Sequence, residues 1–411
     1  MKKIKVQWRN WYGKKDLILD FPDIWEVKEY KMKGKNEISS NDIKKAFSNP
    51  IGTLPLDRLA KGKKNAVILV DDLSRPTKAY KILPYIFEQL RKGGIEKNNI
   101  SILMAIGAHR PLNRFDIIKK IGRNIAENYA VYNHFPYENC VSIPNRKVKI
   151  QVEINRIFVE SDLKIAISFL MPHPLVYFGG GAKIVVPGIA GIKTIQQTHK
   201  PALLGLTGGM SSLEKNKMRN TLEEIVKVVG LDFVINVVGN SNGDIARLYA
   251  GDFIKAHRLG VKYAQEEYST QKPEKKLDIA VLNTFPCDTE FSLSVKAFNL
   301  FREGYEDVIK KDGAIVVISA SSEGRGIHYL SDKFMSLYVK YDSDPRIKRI
   351  FNGRKLIIYS KNITYQDVFD YYPKRTLLFK NWNKLIEELL KYYPSGSQVG
   401  AFPCSSLQFF N

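Results

Sequence analysis

Cysteine is scarce: Cys140, Cys287 and Cys404 are the only three in 411 residues, far apart and without C-x-x-C spacing. That rules out a disulfide framework and a cysteine-built zinc site, and predicts a reduced, cytoplasmic setting. Long apolar runs are also missing. The amino terminus, MKKIKVQWRNWYGKK, is basic with no apolar core of signal-peptide length, and no later stretch has the uncharged apolar length of a membrane span, so a soluble chain is expected. No internal repeat is present. Acidic residues are outnumbered, 42 against 64 basic ones, which gives a net charge of +22. The excess is scattered through KKIK, KKDL, KGKK, KVKI, KPEKK and RIKR, the pattern of a solvated lysine-rich surface. No RRM, KH, helix-turn-helix or C₂H₂ signature accompanies it, so no nucleic-acid partner is expected, although a basic anion- or nucleic-acid-binding protein remains one reading of the charge.

What is there begins with enough apolar material, 44% of the chain, for two buried cores, and the length suits two domains. Two short alternating runs, KIKVQWR and DLILDF, flank a turn and predict a hairpin. Four stretches then read as buried parallel strands: AVILV from Ala66, NNISILMAI, LKIAISF from Leu163, and LDFVINVVG. VKIQVEI is strand-like, and Ala250 to Glu267 reads as a helix carrying His257 on its surface or at a domain boundary. His134 is expected to be structural. STQKPEKK, 269–276, has linker composition. Beyond it LDIAVLN, GAIVVISA, RKLIIYS and VGAFP are strands of a second, smaller unit. The expected fold class is α/β: two α/β domains with mainly parallel sheets, a catalytic and cofactor-binding one over 1–268 and a smaller one over 277–411, with the active site in the cleft between them.

Chemistry is concentrated where strands end. AVILV runs into Asp71-Asp72-Leu73-Ser74-Arg75-Pro76, and the second strand into Gly107-Ala108-His109-Arg110-Pro111. The third feeds PHPLVYFGGGAKIVVPGIAGIKTIQQTH, 172–199. There His173 is held stiffly between Pro172 and Pro174. Gly179, Gly180 and Gly181 allow close backbone approach to a bulky or anionic ligand. Lys183 follows among apolar residues, where desolvation favours the neutral, nucleophilic amine. GGGAK lacks the GxxxxGK[ST] spacing of a P-loop. Charged groups at the carboxyl ends of parallel strands are where open α/β sheets place ligands.

DDLSRP, GAHRP, PHP with GGGAK, QQTH, and PCD followed by Lys296, taken in order, resemble the nickel-dependent lactate racemase family of 2-hydroxyacid racemases and epimerases. The resemblance implies a nickel-pincer nucleotide joined to Lys183 through a thioamide, with His199 as a nickel ligand, and host enzymes that build that cofactor. It implies that His109 and His173 are the two general bases, one for each enantiomer, taking the hydroxyl proton while hydride passes from Cα to the cofactor through a 2-keto acid. Arg75 and Lys296 would hold the carboxylate or the cofactor's anions, and Asp72 would position Arg75 or the cofactor. Three departures concern the substrate: Gly179 and Ala182 stand where the lactate enzyme has serine and a basic residue, Leu293 stands where a glutamine is expected, and no tryptophan matches one near its site. A larger or differently charged hydroxy acid, or a sugar acid undergoing epimerisation, therefore fits as well as lactate. The alternative enzyme is an α/β protein that binds a nucleotide or phosphate without nickel, using the glycines and Lys183 non-covalently.

Overall fold

The computed structural model describes residues 1–34, 36–145, 148–203, 212–301, 305–338, 340–341 and 345–410. Two six-stranded sheets form its centre. In the first the order is Ile245–Gly251, Phe233–Gly239, Leu163–Phe169, Ala66–Asp71, Ile100–Ala105, Ala130–Asn133, and every neighbouring pair is parallel except the first. Burial on both faces explains the unbroken apolar runs: Ile68 and Val70 enter one core, while Val67 and Leu69 enter the other.

The second sheet is wholly parallel, in the order Leu377–Phe379, Lys355–Tyr359, Ile309–Ile318, Leu277–Asn283, Gln398–Phe402, Glu26–Glu29. Its edge strand comes from the amino-terminal end of the chain. The expected hairpin, Lys2–Trp8 paired with Lys15–Phe21, packs Ile4, Val6, Trp8, Leu19 and Phe21 against Ile279, Val281 and Val316 of this sheet. The first thirty residues thus belong with the second sheet, although chain order had assigned them to the first.

Three other local expectations change. Ile245–Gly251 is a strand, so the helix begins later, at Lys255–Glu267. In VKIQVEI only the end is strand: Glu153–Asn155 pairs with Cys140–Ser142. Within the linker-like stretch, Ser269–Thr270 pairs in parallel with Phe409–Phe410. Among the described residues no helix is long and apolar enough to cross a membrane.

Sheet order is what builds the site. Leu163–Phe169, Ala66–Asp71 and Ile100–Ala105 lie side by side and parallel, so the segments leading to His173, Asp72 and His109 leave the same edge. In the second sheet the neighbours Leu277–Asn283 and Ile309–Ile318 send Lys296 and the 319–330 loop from their own carboxyl ends. The two edges meet. Thr289 Oγ1 donates to Leu73 O (2.9 Å), Asn299 Nδ2 to Pro172 O (3.1 Å) and Tyr329 N to Ala108 O (2.8 Å).

Candidate active site

Asp72 and Arg75 are linked through Ser74. The Ser74 hydroxyl and N–H both donate to Asp72 Oδ1, the latter at 2.9 Å, while Arg75 Nη1 donates to Ser74 Oγ at 2.7 Å. Buried Lys120 braces this turn from below, donating to Asp72 O (2.7 Å) and Arg75 O (3.0 Å) and pairing with Asp71 Oδ1 (2.6 Å). Burial raises the Asp72 carboxyl, but His109, Arg75, Ser74 and Lys120 together outweigh it and hold the group below the usual carboxylate range. Asp72 is therefore an anion facing His109.

His109 has two carboxylates beside one nitrogen: Nδ1 lies 3.7 Å from Asp72 Oδ2 and 3.6 Å from Glu290 Oε1. Those acceptors favour the proton on Nδ1 and leave Nε2 as the basic nitrogen. His173 is set the other way. The Leu175 N–H donates to its Nδ1 (3.2 Å), so its neutral ring carries the proton on Nε2. Burial first, then the charges of Lys183, Arg75, Lys296 and His199, push its pKa well below the ordinary histidine value.

The glycine loop is anchored from beneath. Gly179 N donates to Met171 O (2.8 Å) and Gly181 N to Asn236 Oδ1 (2.9 Å). His257 bonds Gly179 O at 2.9 Å, and the buried guanidinium of Arg219 donates to Phe178 O and to Gly180 O (3.1 Å). Gly180 and Gly181 have φ of +82° and +57°, and a Cβ on Gly180 would lie 2.4 Å from Leu170 Cδ2. Two of the three glycine N–H groups are thus spent inside the protein. His257, expected near a surface, is fully buried because it carries this loop.

Above that floor sits Lys183. Among the described residues its amine makes no hydrogen bond or ion pair, and burial, followed by Arg75, Arg219 and Lys296, drives its pKa well below the ordinary lysine value. Lys296 reaches in from the second sheet, its amine 3.4 Å from Ser74 O, with a pKa pushed down to about 8 by burial and then by Arg75. His199 lies in the helix Ile192–Leu203, and its Nδ1 donates to Ile195 O at 2.8 Å. That bond fixes the tautomer and leaves Nε2 with a free lone pair, the state suited to a metal ligand. Burial, then Lys183, lowers its pKa to about 4. His134 is structural, its Nε2 bonded to Ala190 O at 3.0 Å.

Among the described residues no group of three or more His, Cys, Asp or Glu could hold a metal ion by itself. A metal at His199 would draw its other donors from a bound group. What the arrangement offers is an anion-seeking pair, Arg75 and Lys296, beside the buried Lys183 amine, one free imidazole nitrogen, and two further imidazoles from the strand ends on either side of Ala66–Asp71.

Residues 12–206 match the model of the lactate racemase N-terminal domain. The lactate racemase of Thermoanaerobacterium thermosaccharolyticum is 32% identical over 323 residues, 77% of this chain and 74% of that one. The chain belongs to the lactate racemase family. It is an isomerase, lactate racemase-like. The lactate racemase of Lactiplantibacillus plantarum is 28% identical over 346 residues, 81% of this chain and 80% of its own. The lactate racemase apoprotein structure from T. thermosaccharolyticum superposes with a TM-score of 0.78 at 26% identity, covering 100% of both chains. A Thermotoga maritima protein shares the fold, with a TM-score of 0.68 at 16% identity over 92% of this chain and 100% of that one.

For this lactate racemase-family chain, motif reading missed three residues that the structure brings to the site: Lys120, Glu290 and His328. Glu290 could have been found as the carboxylate two positions beyond Asp288 in PCDTE. Lys120 looks like any surface lysine on an amphipathic helix. His328 lies in RGIHYL, a stretch with no motif, yet it forms a backbone bridge with His109 and their ring centres are 5.0 Å apart. A cleft of about 770 Å³ opens beside the pair, lined by their chain neighbours Arg110 and Ile327 and by Lys119, Glu323 and Arg325.

Proposed function

We propose that the chain is a nickel-pincer-nucleotide-dependent racemase or epimerase of a 2-hydroxy acid. The observation that carries this reading is the pairing of Lys183, a buried amine with no partner among the described residues, with His199, whose Nε2 is left free by the Nδ1 bond to Ile195 O. A neutral amine suits covalent attachment, and a neutral imidazole suits nickel. The residues fit the group: Lys183 would carry it, His199 would ligate the metal, and Arg75 and Lys296 would offset the negative charge of nucleotide and substrate. When bound, it supplies the hydride acceptor that no side chain can be.

The chain's own residues then handle protons and position. Substrate carboxylate is drawn to Arg75 and Lys296. His109 takes the hydroxyl proton at Nε2, and the imidazolium so formed is stabilised by Asp72 and Glu290 beside Nδ1. His173 would be the matching base for the opposite enantiomer, in the tautomer that frees Nε2 and gives up the Leu175 N–H contact at Nδ1. Whichever imidazole takes the hydroxyl proton becomes imidazolium and returns that proton to the substrate oxygen or to solvent before the next turnover. The contact between the sheet edges limits access of water to the reacting carbon. The division of the chain near 269–276 into a cofactor-bearing unit and a smaller closing unit belongs to the same proposal, as does dependence on host enzymes that make the cofactor.

The test is intact mass and nickel content of protein from its own host, or co-expressed with cofactor-building enzymes, beside a Lys183→Ala control, with chiral analysis of lactate, 2-hydroxybutyrate, malate and phenyllactate. Added mass and nickel, both absent from the control, with racemisation of at least one acid, are expected. Unmodified, nickel-free protein under those conditions overturns the reading and favours a non-covalent nucleotide or phosphate ligand.

A further inference from the structure

His328 takes no part in the scheme above, and nothing in its sequence surroundings marks it. It is brought to the site by the loop after Ile309–Ile318, across from the His109 loop of the other sheet. Its Nδ1 accepts from two backbone N–H groups, Leu330 at 3.2 Å and Ser331 at 3.1 Å. Two fixed donors on one nitrogen determine the tautomer: the ring is neutral, with its proton on Nε2. Among the described residues that Nε2–H has no partner. Ring centres 5.0 Å apart, tilted at 71°, let one small oxygen-bearing ligand touch both His328 and His109.

We propose that His328 is a catalytic hydrogen-bond donor, supplying a fixed, neutral Nε2–H to the substrate oxygen that alternates between hydroxyl and carbonyl. This rests on the racemase reading, because it needs a substrate oxygen at His109. No proton is transferred to or from His328; the bond strengthens as the hydroxyl proton leaves for His109 and negative charge builds on oxygen, then relaxes in the keto acid. A neutral donor is the right choice beside His109, since an imidazolium there would oppose proton uptake by its neighbour. Burial, followed by His109 and His199, holds the His328 pKa well below the ordinary value, in keeping with this. The C-terminal unit thereby completes the chemistry of the first.

The experiment compares holoenzyme carrying His328→Gln, whose amide N–H can occupy the Nε2 position, with His328→Leu, which has no donor. His328→Leu is expected to lose about 100-fold or more in kcat, the usual effect of removing one preorganised donor. KM should change little, nickel content and Lys183 adduct mass should be unchanged, and His328→Gln should recover most of the rate. A His328→Leu enzyme within threefold of the parent overturns the proposal, as does a His328→Gln enzyme no better than His328→Leu at equal nickel loading. A second measurement needs no tolerated variant. In the ¹⁵N-histidine-labelled parent, His328 should show a protonated Nε2 whose signal moves on addition of pyruvate; a protonated Nδ1 or an unmoved signal overturns the proposal. A parent that holds nickel yet turns over none of the four acids sinks the racemase reading, and the ¹⁵N result still decides the tautomer and the contact.

Discussion

Replacing Lys296 by methionine should stabilise the apoprotein while damaging the enzyme. The Lys296 amine sits among Arg75 and Lys183, with only a 3.4 Å contact to Ser74 O, and its pKa falls from the ordinary 10.5 to about 8, mainly through burial and then through Arg75. A lysine whose folded pKa lies below its unfolded pKa destabilises the fold fully below the folded value, and the cost disappears as pH rises past the unfolded value. At pH 7, the fall from 10.5 to about 8 corresponds to about 3 kcal/mol. At pH 10 the same shift leaves about 0.8 kcal/mol. Methionine fills similar volume without the charge, so Lys296→Met should raise the apoprotein Tm at pH 7 by roughly 3–8 °C. Thermal unfolding of parent and variant at both pH values is the assay, and the gain should shrink at least twofold at pH 10. Holoenzyme carrying the change should lose kcat/KM through weaker grip on the carboxylate. A variant less stable than the parent at pH 7, or a gain equal at both pH values, would refute the argument that this lysine is held against its charge.

Sulfate should raise the parent apoprotein Tm and raise that of Lys296→Met less, since it neutralises the same cations; equal shifts would place the anion elsewhere. His199→Ala should cut nickel per protein at least tenfold while the Lys183 adduct mass persists, read by metal analysis and intact mass on one sample. Arg219→Met should cost about 2–4 kcal/mol, because it strands Phe178 O and Gly180 O while Glu223 keeps its two hydrogen bonds from Arg258, and unchanged urea unfolding would contradict that. Gly180→Ala, at φ +82° and facing Leu170 Cδ2, should cost about 2–3 kcal/mol and lower Tm accordingly.

The strand ends were legible because buried parallel strands are unbroken apolar runs, and Asp72, His109 and His173 follow such runs within four residues. Their convergence depends on sheet order, with Ala66–Asp71 placed between the other two strands, a non-local pairing that no run of residues encodes. The same limit hid the edge position of Glu26–Glu29, which pairs with Gln398–Phe402 more than 360 residues away. Ala250 and its neighbours suit a helical period as well as a strand, and only the pairing of Ile245–Gly251 with Phe233–Gly239 distinguishes the two. Arg219 and His257 have ordinary helical surroundings in sequence, and only their burial beneath the glycine loop reveals what they hold. His328 was silent for the same reason as the sheet order: its meaning lies in two loops from different sheets meeting.

The cation cluster also bears on the order in which the site matures. Beyond burial, Arg75 and Lys296 depress the Lys183 amine, Arg75 depresses Lys296, and all three depress His173; Asp72 is set against the effect at both lysines and Glu290 at Lys296. Such a floor is costly when empty and inexpensive once anions arrive, so ligand binding and stability are coupled. The proposed attachment at Lys183 would go further, because an amide-type nitrogen can no longer take up a proton at all. After burial, Lys183 is the foremost influence lowering the His173 pKa. The proposed attachment at Lys183 should therefore raise the proton affinity of His173, and comparing the His173 titration in apo and nickel-loaded protein measures it; an unmoved titration would refute the coupling.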